Sequence, residues 1–173
     1  MLQQRLNFCL SEISKGNLSY FQELYNDMFD HLYKYVFFLC HHTETTKDIV
    51  QDTFLKVLQS SSSYREQKNP KAWLFAIAHN QLVSLFRKQS RELLTDIMPE
   101  TDVVNSIESD CINSITLIEA LKNLSISDRE IVLLHVIAGL RFREISTAMN
   151  MPLGTVTGAY RRAISKLKSL LLN

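Results

Sequence analysis

Between Phe21 and Cys40 the apolar residues Phe21, Leu24, Tyr25, Met28, Phe29, Leu32, Tyr33, Val36, Phe37 and Cys40 recur at steps of three, one and three. Only an α-helix gathers that spacing into one wide stripe, and such a stripe must be laid against another element. The same period governs most of the chain. Leu2, Leu6, Cys9, Leu10 and Ile13 make a shorter stripe that Gly16 is placed to end. A third helix is expected from about Thr46 to Ser60, with Ile49, Val50, Phe54, Val57 and Leu58 partly buried and Asp48, Gln51, Asp52 and Lys56 outward. The run Ser60 to Lys68, four serines followed by Tyr64, Arg65, Glu66, Gln67 and Lys68, breaks the period and reads as an exposed loop. Asn69 is a natural N-cap with Pro70 in the first helical position, so a fourth helix is expected from there to about Lys88.

From Glu92 to Asn113 the chain is acidic, contains Pro99 and holds no sustained stripe, which marks a flexible linker and a domain boundary. Periodicity returns at Ile115. Ser127-Asp-Arg-Glu130 has the form of a capping box ahead of Ile131, Leu134, His135 and Ala138, and Gly139 is placed to end that helix. Phe142 to Met149, a short turn through Asn150-Met151-Pro152 and a last helix from about Pro152 to Leu171 then form a helix-turn-helix. The expected fold is all-α: two small helical domains, residues 1–91 and 115–173, joined by an acidic flexible linker over 92–114, the second domain containing the helix-turn-helix.

Charge is divided the same way. The formal net charge is only +1, yet residues 64–91 carry 6 Lys/Arg against 1 Asp/Glu, residues 92–119 carry 0 against 7, and residues 120–173 carry 8 against 3. Two basic segments able to follow phosphate backbones flank an acidic one that would repel or imitate DNA. No apolar run approaches the roughly 20 residues needed to span a bilayer, and the N-terminus lacks the order of a signal peptide, so membrane insertion is not expected and a cytoplasmic location is. Cys9, Cys40 and Cys111 lie far apart and suit free thiols. Cys40-His41-His42 crowds three ligand types, but neighbours on a helix point apart, so no metal site is expected. His79 and His135 sit in apolar helices and read as packed or solvated. With no glycine-rich phosphate loop, nucleophile elbow or paired carboxylates, neither an enzyme nor a cofactor is expected.

Two stretches carry a resemblance. Asp48-Ile-Val-Gln51-Asp52-Thr-Phe54-Leu-Lys-Val-Leu58, followed by Asn69-Pro70-Lys-Ala-Trp73-Leu74-Phe-Ala-Ile-Ala78-His-Asn80 and ending in Arg87, resembles region 2 of the extracytoplasmic-function sigma factors of bacterial RNA polymerase. Gly139 to Val156, with Glu144, Ile145, Pro152, Gly154 and Thr155, leading to Arg162-Ala163 and Lys166-Leu167, resembles their region 4. Together they cover most of the chain, in order, across a linker of fitting character.

The resemblance implies a factor that binds core RNA polymerase and directs it to promoter DNA, and it implies roles for residues. The helix over 46–60 would dock on a coiled coil of the largest polymerase subunit through Asp48, Gln51 and Asp52, with Phe54 and Leu55 as the apolar contact. Tyr64 of the loop and Lys71, Trp73, Asn80, Arg87 and Lys88 of the next helix would capture the unwound −10 element by stacking and hydrogen bonding. Trp73, taken alone, is better read as a core anchor. Arg141, Thr155, Thr157, Gly158, Arg161, Arg162 and Lys166 would meet the −35 element in the major groove. Here the chain departs from the family, which commonly continues Gly-Thr-Val with Lys/Arg-Ser-Arg where this sequence has Thr157-Gly158-Ala159. Ser84 likewise stands where many relatives carry Asp. An anti-sigma partner is common in the family, and no residue identifies one. Two rivals fit parts of the pattern: a helix-turn-helix regulator that reads duplex DNA, and a helical module that binds only protein.

Overall fold

The computed structural model describes residues 2–64, 69–92 and 111–171. Eight α-helices occupy them: α1 (Leu2–Ser14), α2 (Phe21–Cys40), α3 (Thr43–Ser60), α4 (Pro70–Glu92), α5 (Cys111–Lys122), α6 (Ile126–Val136), α7 (Phe142–Ala148) and α8 (Leu153–Leu171), with 3-10 turns at Leu18–Tyr20 and Ser61–Ser63. No strand occurs among the described residues, and no helix there is long and apolar enough to cross a membrane.

Local chemistry sets the boundaries. Asn69 accepts from the backbone N–H groups of Lys71 (3.0 Å) and Ala72 (3.4 Å), capping α4 with Pro70 behind it. α3 begins three residues before the expected Thr46, because His42 serves as N-cap and its Nδ1 accepts from the Thr45 N–H at 3.2 Å. The turn between α2 and α3 is made by His41, whose φ of 54° is unusual for a residue with a Cβ. The cap of α6 also differs from expectation: Ser125, not Ser127, accepts from the Asp128 N–H at 3.1 Å, which leaves Glu130 without a capping role. α5 reaches back to Cys111, into the span read as linker, while residues 93–110 lie outside the described residues.

α2, α3 and α4 pack on one another, α1 closes against α2 and α4, and α8 lies across α5, α6 and α7. The first group buries Leu24, Met28, Leu32, Phe54, Leu74 and Leu82; the second buries Ile131, Leu134, Ile145, Val156 and Ala163. The two groups also touch, α2 against α6 and α4 against α7, and one apolar interior runs through both.

Candidate functional site

On α3, Asp48, Gln51, Asp52 and Leu55 are exposed at steps of three, one and three, a continuous polar stripe with one apolar member; Leu55 is 48% exposed. Neither carboxylate has an ion-pair partner among the described residues. Phe54 differs from the expectation that it offers an apolar contact: it is 3% exposed, with ring centroids of Tyr25 at 4.7 Å and Phe21 at 6.0 Å. Its burial, worth about 1.5–3 kcal/mol, serves the α2–α3 packing. It forms the floor of a groove of about 530 Å³ between the two helices, with Phe21, Tyr25, Phe29 and Tyr33 on one wall and Leu55 on the other.

The second expected surface is divided. Asn80, Ser84, Arg87 and Lys88 are exposed along α4, with the Ser84 hydroxyl donating back to the Asn80 carbonyl at 2.9 Å. Lys71 and Trp73 are half-buried. Tyr64, expected on an exposed loop, is 7% exposed instead: its hydroxyl donates to Asn7 of α1, and its ring lies 5.1 Å from that of Trp73. Tyr64 therefore pins the end of the Ser61–Ser63 turn to α1 and α4 and has no free face on which a base could stack. Ser61 is buried too, Ser62 and Ser63 are exposed, and residues 65–68 of the expected loop lie outside the described residues.

In the second group α7 and α8 meet at a tight turn, where Asn150 takes φ 51° and Ser146 donates to the Met151 carbonyl at 2.6 Å. Thr155 and Arg161 are exposed on α8, and Arg141 is exposed just before α7, where Glu144 accepts from its N–H at 2.7 Å. The Thr157 hydroxyl is engaged within the helix, donating to the carbonyls of Leu153 and Gly154 at 3.1 Å. Arg162 reaches Asp128 at 3.5 Å, and Lys166 donates to the Asn123 carbonyl at 2.6 Å. Ala159 is 2% exposed and faces the packing of α8, so the missing cation at that position is not missing from the outward face of this helix.

A cluster that the sequence reading did not single out lies between the two groups. Glu130, 6% exposed, accepts from the Tyr35 hydroxyl at 2.5 Å and from His79 Nδ1 at 2.7 Å. Arg129 donates to Leu121, Lys122 and Leu124 carbonyls and, through Nη1, lies 3.0 Å from His41 Nε2. Guanidinium can only donate, so His41 Nε2 accepts and the hydrogen sits on Nδ1, which is buried without a partner among the described residues. Burial first, then Arg129 and Lys122, lower the His41 pKa to about 4. Burial pushes the neighbouring Cys40 thiol up to about 12. His135 donates through Nδ1 to the Leu140 carbonyl (2.8 Å) and stacks on Phe142 at 4.7 Å, a packing role.

The chain is similar to known proteins. Sigma-70 region 2 is matched over residues 24–92 and sigma-70 region 4 over residues 114–167. The chain is 27% identical over 154 residues to the RNA polymerase sigma factor YlaC of Bacillus subtilis, covering 85% of this chain and 89% of that protein. It is 25% identical over 158 residues to the extracytoplasmic-function sigma factor SigX of the same organism, covering 86% and 81%. Among solved structures it superposes on the sigma factor RpoE of Bartonella quintana, captured in complex with the anti-sigma factor NepR, with a TM-score of 0.79, 25% identity and coverage of 87% and 96%.

Proposed function

The chain belongs to the sigma-70 family, in its extracytoplasmic-function form, and is a promoter-recognising initiation factor rather than an enzyme; on that premise we propose how its surfaces divide the work. Core RNA polymerase is engaged by the exposed stripe Asp48, Gln51, Asp52 and Leu55, where carboxylates and an amide can pair with basic residues of a partner helix around an apolar contact. Phe54 supports that stripe from below. The outward row Asn80, Ser84, Arg87 and Lys88 on α4 receives the unwound −10 strand: the Asn80 amide can read a base edge while the two cations follow the backbone. Trp73 borders that row and holds Tyr64 in place.

On α8, Thr155 and Arg161 with Arg141 and, once released from Asp128 and Asn123, Arg162 and Lys166 anchor the −35 duplex through phosphates. Thr157 and Gly158 offer no long donor to guanine, a contact worth about 1–3 kcal/mol of discrimination, so base selection at −35 is shallow and falls mainly to −10. The protein works in the cytoplasm, where the polymerase is. An anti-sigma factor of the kind bound to RpoE is part of this reading, with no residue yet assigned to it.

The observation that carries the proposal is the presence of both regions in order, together with an exposed carboxylate stripe on α3 that has no ion-pair partner among the described residues. Adding purified protein to core polymerase and sequencing the transcripts tests it: transcription should start at a defined set of promoters absent with core alone. Tight, sequence-specific binding of the free protein to duplex DNA, with no effect on polymerase, would favour the regulator reading instead.

A further inference from the structure

The first two turns of α8 carry no side chain of the kinds that read a base by paired hydrogen bonds. From Met151 to Tyr160 the sequence runs Met-Pro-Leu-Gly-Thr-Val-Thr-Gly-Ala-Tyr, with no cationic, amide or carboxylate side chain. In the major groove guanine presents acceptors that suit Arg or Lys, adenine an acceptor and a donor that suit Asn or Gln, and cytosine a donor that suits Asp or Glu. Thymine alone adds a group read by apolar contact, its 5-methyl. Val156 and Ala159 are buried, and Tyr160 packs against His135 and Phe142. Leu153, Gly154, Thr155, Thr157 and Gly158 are left to face a groove, and Leu153 is 38% exposed.

Residues four apart share a row on a helix. Leu153, Thr157 and Arg161 make one row of α8, and Gly154, Gly158 and Arg162 the next. The Thr157 hydroxyl donates back to the Leu153 and Gly154 carbonyls, so the methyl is what this side chain has to offer a partner. Neither glycine is there to relieve crowding: a Cβ would meet nothing within 4 Å at Gly154 and only Arg162 Nη1, at 3.6 Å, at Gly158. Their bare row lets the helix settle closer to the base edges, within reach of the short Thr157 methyl and of Leu153. Thr155 keeps a hydroxyl that suits any base and adds no preference. Both rows end in a guanidinium about 12 Å along the helix, at 1.5 Å per residue, which can take phosphates while the first turns meet bases.

We propose that α8 selects T·A pairs at the −35 element through contact of Leu153 and Thr157 with thymine 5-methyl groups, in place of hydrogen bonds to guanine. The inference rests on the sigma-factor reading and on entry of α8 into the major groove, and it gives the shallow −35 selection a direction. One methyl taken out of water is worth about a fourfold change in affinity. A bidentate contact to guanine is worth about five- to 150-fold. Selection is therefore weak at each pair and follows the thymine methyl.

Replacing thymine by deoxyuracil removes the 5-methyl and leaves every hydrogen-bonding group in place. Holoenzyme assembled from the full chain and core polymerase is first given a promoter library randomised at −35, and the initiating sequences should be enriched in T·A pairs. The selected promoter is then titrated with each −35 thymine, on either strand, exchanged in turn for deoxyuracil; at one or more positions affinity should fall about fourfold. Thr157→Ser, which keeps the hydroxyl bonded within the helix and drops the methyl, and Leu153→Ala should each abolish the penalty at the position they contact. Any effect of uracil on base stacking is the same in every variant, so this coupling decides the matter. Deoxyuracil tolerated at every position, a selected motif led by G·C pairs, or a penalty undiminished in both variants overturns the proposal. Holoenzyme that initiates equally well on uracil-bearing promoters would leave the sigma-factor reading standing without it. A chain that directs no initiation at all would strike that reading and the inference with it.

Discussion

Gly158 and Ala159 are neighbours in the helix that departs from the family pattern, yet they ask opposite things of a substitution. Gly158 has ordinary helical geometry, and a Cβ there would meet only Arg162 Nη1 at 3.6 Å, an ordinary contact. Gly158→Ala should therefore raise stability by about 1 kcal/mol, the helix-propensity difference between the two residues. For a chain of this size that is a rise of roughly 2–4 °C in the midpoint of thermal unfolding, and no rise would mean that α8 frays at this point. Ala159 is 2% exposed, so Ala159→Arg, which restores the family's usual residue, should lower stability by about 1–3 kcal/mol from overpacking alone, read as a fall in the unfolding midpoint. Gly139 marks the contrasting glycine: with φ +67°, Gly139→Ala should destabilise although no atom stands in its way. The family comparison made all three missing groups at 157–159 look like lost DNA contacts. Burial separates them: Ala159 is buried, and only Thr157 and Gly158 remain partly exposed.

At the scale of the element, α3 divides into a buried side that packs and an exposed side that is free to bind under the proposed reading. Thr46, Val50, Thr53, Phe54 and Val57 are buried, Asp48, Gln51, Asp52 and Leu55 exposed. Exposed polar side chains usually contribute less than about 0.5 kcal/mol each, so replacing Asp48, Gln51 and Asp52 together by Ala should leave helicity and melting nearly unchanged. Affinity for core polymerase should fall sharply in a pull-down or fluorescence titration; undiminished affinity would move the polymerase surface off this stripe. The stripe was legible because period and polarity agree over about two turns, and the cap at Asn69-Pro70 and the α7–α8 turn were legible because their signals are local. The α6 cap was not, since Ser125-Ile-Ser-Asp128 and Ser127-Asp-Arg-Glu130 both satisfy the same four-residue pattern and only the burial of Glu130 decides between them. Tyr64 was misplaced for a related reason. A tyrosine after four serines looks exposed until Asn7, 57 positions earlier, is seen to take its hydroxyl.

For the whole molecule the contact between halves adds a dependence on acidity whose sign follows from His41. That imidazole ends α2 in the left-handed region and faces Arg129 of α6 and Lys122 of α5, with the Phe37 ring on its own helix beside it. In the closed form burial and then these two cations hold its pKa at about 4, against an ordinary value of 6.5 once the halves part and water reaches it. A base whose pKa is depressed in one state favours that state only while neutral. Closure therefore has its full contribution from His41 above pH 6.5 and loses it progressively as pH falls from 6.5 toward 4, with a slope of at most tenfold in the closed-to-open ratio per pH unit. Scattering from pH 7.5 to 4.5 should show the radius growing across that window before helicity is lost. His41→Asn keeps a residue that tolerates the left-handed turn and removes the titrating ring, so its expansion should be shallower. If wild type and variant expand over the same range with the same slope, the acid response belongs to other groups, and His41 contributes only the turn between α2 and α3.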